Sequence, residues 1–433
     1  MKSIHEPLAQ QAIEVLRKNW TGTFTKPGAL LYHHQWSWDS AFVAIGTVHY
    51  DQARAEQELR SLFQGQWANG LLPHIIFDPD ATIKYFPSFE FWETGSSLQA
   101  PRDQQTSGIV QPPVHATAIL HIYRHAQDTS RALAFLKDMF AKLQAWHAYL
   151  HRERDPQGEG LVYIRHPWES LDNSPIWDTI LRRMRLRPED IPAYTRVDTQ
   201  TVNAADRPSD EDYDRYAYLV RFFSSRGYDE AEIRLDCPFL VQDVLFNALL
   251  CQADRDLAEI ARIVGEDPTR FEKWAQQTSQ AVNSKLWDEE HGIYVDFDLV
   301  ENKQIHVQSA AGFLPLFAGI PDTNRAQRMY SYLNSRSFCG LDEACYALPS
   351  YDRQAPDFSP NRYWRGPVWI NLDWLLYHGL RRYGFLEYAQ RVRQSVLDLV
   401  QQHGFYEYYN PLNGEGHGTH QFSWTAALLL DML

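Results

Sequence analysis

Two kinds of helical segment alternate along this chain, and that alternation limits its possible folds more than any other feature. The first kind is striped. Leu133, Leu136, Phe140, Leu143, Trp146 and Leu150 recur at steps of three or four, giving one apolar and one polar face. Similar stripes run through residues 3–19, 52–67, 268–286, 323–335 and 386–402. These six suit outer helices. The second kind is apolar on most faces: WSWDSAFVAIG from Trp36, QPPVHATAIL from Gln111, CPFLVQDVLFNALL from Cys237, VQSAAGFLPLF from Val307, RGPVWINLDWLLY from Arg365 and FSWTAALLLDML from Phe422. Helices apolar nearly all round are buried. Pro113, Pro238 and Pro367 suit the first turns of three of them, where proline is tolerated. Six inner and six outer helices in alternation predict an all-α fold, an (α/α)6 barrel, in one domain over residues 1–433. Its functional rim would be the loops that enter the inner helices. An irregular all-α domain is the plainer alternative.

The remaining segments are expected at the rim. Residues 76–110 have no helical period and hold Pro87, Gly95 and Gly108; a connection that long inside a compact domain is usually functional. A second excursion covers 151–235, of which 186–235 is rich in Arg, Asp and Pro. Short hairpins are expected at 289–298 and 161–165. The chain has 41 Lys+Arg against 55 Asp+Glu, a net charge of −14, which argues against nucleic acid or an anionic membrane as partner. No apolar run is long enough to span a membrane, and MKSIHEPLAQQ lacks a leader's apolar stretch, so a cytoplasmic protein is expected. Cys237, Cys251, Cys339 and Cys345 form no CxxC pair and are read as reduced core residues. Many of the 14 Trp, 23 Tyr and 22 Phe sit in loops beside Gly, Pro, Asp and Glu. That distribution suits a flat ligand rich in hydroxyls, such as a sugar.

Two segments carry acid–base chemistry. In HPWESLDNSPIWD, residues 166–178, Glu169, Asp172 and Asp178 lie among Trp168 and Trp177, with a turn at Asn173–Pro175. A carboxyl pressed against indoles loses hydration, and its raised pKa makes it a general acid. The plainer reading has Asp172 or Asn173 capping a helix from Pro175. In GFYEYYNPLNGEGHGTHQFSWTAAL, residues 404–428, Glu407 is flanked by Phe405–Tyr406 and Tyr408–Tyr409; alone, this reads equally as an amphipathic edge strand. Glu415, between two glycines, suits loop geometry better than catalysis. Paired carboxyls in aromatic surroundings are the equipment for breaking a glycosidic bond. Three further clusters look like a sugar subsite: Tyr32, Trp36, Trp38 and Asp39; Gln111 before Pro112–Pro113; and Tyr363, Trp364, Arg365 and Trp369. Core packing is the plain reading of each tryptophan taken singly, and an N-cap that of Asp39.

WSWDS with its downstream NGLLPH (Asn69 to His74), QPP, LDNSP, YWRGPVWIN (Tyr363 to Asn371) and FYEYYNP…FSWTAAL together resemble glycoside hydrolase family 63, in particular its short glucosylglycerate and mannosylglycerate hydrolases. The resemblance runs in order from about residue 10 to the end. It implies an (α/α)6 barrel and inverting hydrolysis, with Asp172 as general acid and Glu407 as general base. Family members often carry a Gly within ESGxDNS, where this chain reads Glu169–Ser170–Leu171–Asp172–Asn173. Trp38, Asp39, Gln111, Trp168, Trp364 and Trp369 would grip the sugar, helped by Tyr32, Tyr85, Gln421 and Trp424. In RPSDEDYDRY, residues 207–216, Arg207 and Tyr213 match the six-residue spacing by which the glycerate-specific members hold the acceptor carboxylate. A guanidinium fork suits a carboxylate that a neutral disaccharide lacks; a self-paired charged loop is the plainer reading.

The expected enzyme is thus an inverting α-glycosidase acting on a small sugar–glycerate conjugate, with no cofactor. A neutral α-glucosidase, a sugar 2-epimerase and a non-catalytic carbohydrate-binding protein are the rivals. No metal site is expected: the pairs His121/His125 and His417/His420 lack the third-ligand pattern of a zinc site.

Overall fold

The computed structural model describes residues 6–433, so the start of the first stripe at residues 3–5 lies outside the described residues. Six amphipathic helices form an outer layer: α1 (Glu6–Asn19), α3 (Gln52–Leu62), α5 (Thr129–Glu153), α8 (Thr269–Ala281), α9 (Thr323–Leu333) and α11 (Leu386–His403). Each falls on one of the predicted stripes. Inside them lie α2 (Ser37–Thr47), α4 (His115–His125), α7 (Val244–Val264), a 3₁₀ helix at Ala310–Leu316, α10 (Ile370–Arg382) and α12 (Ser423–Met432). Each inner element packs on the next in chain order, and α12 closes the ring against α2. The result is an (α/α)6 barrel. Its α2–α12 seam is tight because Gly46 has no side chain: a Cβ there would meet the Ala427 carbonyl oxygen at 2.1 Å. No helix among the described residues is long and apolar enough to cross a membrane.

Side-chain caps occur unevenly in both layers: the inner α7 is capped by Asp243, while the outer α8 and α11 have none. Asp51, Asp128 and Asp322 cap the outer helices α3, α5 and α9 by accepting from backbone N–H groups. The inner helices α2, α4, α10 and α12 have no side-chain cap. Their starts are Trp36, Val114, Trp369 and Phe422, and their N-terminal ends share one end of the barrel. That end is the rim.

Several expectations need correction. Pro113, Pro238 and Pro367 stand two, six and three residues ahead of their helices, within the entry segments. Proline biases its predecessor to extended backbone, which suits an approach strand. The stretch 289–298 is divided between two hairpins, one pairing Trp287–Asp288 with Ile293–Tyr294 and one pairing Asp296–Asp298 with Lys303–Ile305. Residues 161–165 form no hairpin; Ile164 bridges to Val241, which enters α7. Residues 210–224, expected within a charged loop, form the rim helix α6 (Asp210–Ser224), capped by Ser209. Cys339 and Cys345 are joined in a disulfide rather than reduced, because the turn after α9 brings their Cα atoms to 5.7 Å, within bridging reach. Cys237 and Cys251 are buried thiols, as expected.

Candidate active site

Fourteen of the sixteen candidate residues line one cavity at the rim. They are Tyr32, Trp36, Trp38, Asp39, Tyr85, Gln111, Trp168, Asp172, Arg207, Tyr213, Tyr363, Trp364, Glu407 and Trp424. The other two do not face it. Trp369 lies behind Trp364, ring on ring at 3.7 Å and 8°, and its indole N–H donates to the Tyr363 carbonyl. It therefore braces the wall. Gln421 has left-handed backbone, φ 56°, and faces the outer surface beside Glu14 and His403. The cavity also takes in Pro27, His74, Ser170 and Phe422. The last three stand inside NGLLPH, ESLDNS and FSWTAAL, so motif neighbourhood could have found them; Pro27 has no such signal.

Asp172 sits in a turn that is held from three sides. Trp364 Nε1 donates to its Oδ1 at 3.1 Å. Asn173 is left-handed at φ 61°, and its N–H donates to the Tyr216 hydroxyl. Arg365 clamps the far side, bonding both oxygens of Asp178 at 2.8 Å. The segment from Glu169 to Ser174 is one residue shorter than ESGxDNS, and within it only Asn173 has a positive φ. Ser174, rather than Asp172 or Asn173, caps the 3₁₀ turn at Pro175–Trp177. Burial pushes the Asp172 carboxyl up to about 7, with Arg207 opposing and Glu407 adding to the rise. Asp172 is therefore the proton-bearing carboxyl near neutrality.

Glu407 is in the strand Tyr406–Tyr409, paired with Gly416–His420. Tyr32 donates to its Oε1 at 2.8 Å and the Thr419 N–H to its Oε2 at 3.1 Å. Burial raises its pKa, but Arg207 and the donors Tyr32, Thr419 and Tyr363 all oppose that rise. Asp39, in the first turn of α2, is pushed well up by burial and by Glu407. Gln111 accepts from the Trp38 N–H at 3.1 Å. Arg207 is buried, lies 4.4 Å over the Tyr363 ring and donates to the Tyr32 hydroxyl at 3.4 Å. Asp198 accepts from its Nε at 3.2 Å. Among the described residues, Nη2 of Arg207 makes no hydrogen bond.

Glu169 is structural. Its carboxylate accepts from both terminal nitrogens of Arg154 and from the N–H groups of Val110 and Arg165. That bond to Val110 fixes the backbone just before Gln111. His121 and His125 stack on each other at 4.0 Å, and His417 pairs with Asp206. The groups close enough to share an ion lie away from the cavity: His49, His121 and Asp431, and separately Asp288, His291 and His306.

A barrel whose rim pocket holds a proton-bearing carboxyl and a multiply hydrogen-bonded one among indoles and phenols is a glycoside hydrolase in fold and equipment. Residues 32–425 match the mannosylglycerate hydrolase MGH1-like glycoside hydrolase domain, and the chain belongs to that family. It is 54% identical to the mannosylglycerate hydrolase of Rubrobacter radiotolerans, over 99% of this chain and 97% of the relative. Identity to the glucosylglycerate hydrolase of Mycolicibacterium hassiacum is 39%, over 98% and 97%. The crystal structure of the family 63 mannosylglycerate hydrolase from Thermus thermophilus with Tris and D-glycerate superposes with a TM-score of 0.91, at 45% identity, covering 98% of this chain and 99% of that one.

Proposed function

We propose that the chain hydrolyses 2-O-α-D-mannosylglycerate, 2-O-α-D-glucosylglycerate or both, to free sugar and glycerate, with inversion. Asp172, protonated, gives its proton to the departing glycerate oxygen as the glycosidic bond breaks. Glu407, ionised, takes a proton from the water that attacks the anomeric carbon on the opposite face. The product is the β-anomer. Trp38, Asp39, Gln111, Trp168 and Trp364 hold the sugar.

The observation that carries the acceptor is Arg207. Burying a guanidinium is costly unless it is paired. Its partner Asp198 is already satisfied by Arg196, at 3.1 Å and 2.7 Å. Arg207 therefore has capacity left for an anion, and a glycerate carboxylate fits. The named activities of the relatives support the same acceptor.

Arg207→Ala tests it. A charge-assisted bond contributes roughly 1.5–3 kcal/mol, so kcat/KM should fall about 10–150-fold on the glycerate conjugates. Kojibiose and trehalose, which have no carboxylate, should be turned over no worse than before. Equal losses on both substrate types would assign Arg207 to holding the loop and leave the neutral α-glucosidase reading. Proton NMR of fresh product gives the stereochemistry, and an initial α-anomer would contradict inversion.

A further inference from the structure

The barrel end opposite the pocket carries a cluster with no part in the proposed reaction. There the last turns of α4, α10 and α12 and the turn after α2 bring together His49, His121, His378 and Asp431. Oδ1 of Asp431 is 2.8 Å from His49 Nε2 and 2.8 Å from His121 Nε2, and its Oδ2 is 3.6 Å from His378 Nε2. The ligand atoms of His49, His121 and Asp431 all lie within 4.8 Å of one another. Helices α2 and α4 have eleven residues each, which puts roughly 15 Å between this cluster and the rim. Sequence spacing could not reveal it, because His49 and Asp431 are 382 positions apart.

Two features distinguish it from an ordinary polar contact. His49 Nε2 and His121 Nε2 converge on the same carboxylate oxygen, Oδ1 of Asp431, and His378 Nε2 is buried 3.6 Å from Oδ2 with no hydrogen bond among the described residues. Trp374 Nε1 donates to Asp431 Oδ2 at 2.7 Å, which turns Oδ1 toward the two imidazoles. An outer partner that orients a carboxylate in this way is characteristic of a metal site.

We propose that His49, His121 and Asp431 bind one divalent transition-metal ion, zinc by preference, with His378 the nearest further donor. Imidazole nitrogens with one carboxylate oxygen make a familiar zinc set. Bonds of about 2.0–2.2 Å in a tetrahedron put ligand atoms about 3.3 Å apart, so the 2.8 Å contacts would open by about half an ångström. The ion would tie α12 to α2 and α4 at the closure of the ring, a structural staple. The Asp288 cluster differs in that both its histidines are exposed, so it serves as a control.

The test begins with chelator-stripped protein titrated with zinc chloride against a chromogenic chelator. One zinc per chain should bind with Kd below about 1 µM, and zinc at about a hundred times Kd should raise Tm by about 3 °C. His49→Ala and His121→Ala should each abolish both effects, while His291→Ala keeps them. His49 is 30% exposed, so its removal leaves the fold intact and the result readable. At temperatures well below Tm, stripped and loaded protein should have the same kcat/KM, because the cluster is far from the pocket. Failure of the wild type to bind stoichiometric zinc overturns the proposal. So does zinc that persists with unchanged affinity in the His49→Ala/His121→Ala double variant.

Discussion

Asp172 and Glu407 are the same kind of group in the same cavity, and the number of donors around each separates them. Asp172 has the Trp364 indole alone and titrates at about 7; Glu407 has Tyr32, Tyr363 and the Thr419 N–H holding its ionised form. On the proposed mechanism, these opposite environments suit Asp172 to the acid role and Glu407 to the base role. Activity should therefore fall as pH rises through about 7, where Asp172 loses its proton, and fall again as pH drops through the Glu407 pKa. Asp172→Asn and Glu407→Gln should each lower kcat by about 10²–10⁴; a variant keeping a tenth of wild-type turnover would refute its assignment. Gly418 makes a subtler case. A Cβ there would stand 2.3 Å from Glu407 Oε2, on backbone at φ +71°. Gly418→Ala should push the carboxylate aside and cut kcat about 10-fold or more, with KM little changed, as steady-state kinetics would read. Both carboxyls were legible as candidates from their aromatic neighbours, Glu407 within Phe405–Tyr409 and Asp172 between Trp168 and Trp177. The Gly418 constraint was not, since it depends on two strands pairing across a turn.

At the level of elements, amphipathic periodicity located all six outer helices, because a helix with one wet face must repeat every 3.6 residues. The inner elements were found, with the starts of α2 and α12 at Trp36 and Phe422 as expected, but the other four begin three to seven residues later than expected. Of the inner helices, α2, α4, α10 and α12 begin without side-chain caps, so a usual local signal of a helix start is missing there. The fourth inner element is 3₁₀ at Ala310–Leu316, where Pro315 removes a backbone donor from within the turn. The disulfide escaped a reading based on cysteine density. Arg365, named only as part of a motif, proves to join two rim segments. It bonds Asp178 with both terminal nitrogens and reaches Asp357 at 3.0 Å, tying the loop of Trp364 to the turn of Asp172. A lysine cannot form that fork. Arg365→Lys should therefore lower kcat/KM about 10-fold while leaving Tm within about 3 °C of wild type, as paired kinetic and melting measurements would show. A loss of activity matched by a large fall in Tm would make Arg365 a folding residue instead.

Across the whole molecule, burying this much polar chemistry makes stability depend on pH in a definable way. Burial raises the carboxyls of Glu58 and Asp172 to about 7 and Asp243 to about 6, and pushes Asp39, Asp296 and Asp373 well up. A raised carboxyl pKa means the native state holds a proton that the unfolded chain has released, so stability falls as pH rises through the folded value. Buried histidines act in the opposite direction. His115 and His166 are lowered to about 3 and His34 to about 4, with His74 lowered well below its ordinary value. They favour the native state only where the unfolded chain's histidines are uncharged, above about 6.5. Between about pH 5 and 6 the two sets oppose, and Tm should be nearly flat. Above about pH 6.5 the histidine contribution is complete and the carboxyls alone still titrate, so Tm should decline by several degrees toward about pH 8. Asp172→Asn removes one of those carboxyls and keeps an acceptor oxygen for Trp364. Its Tm gain over wild type should be larger at about pH 8 than at about pH 5, by about 2–5 °C. Scanning calorimetry across that range decides it: a wild-type Tm that rises over the upper half of the range, or an Asp172→Asn gain independent of pH, would show that the buried carboxyls are ionised in the folded barrel.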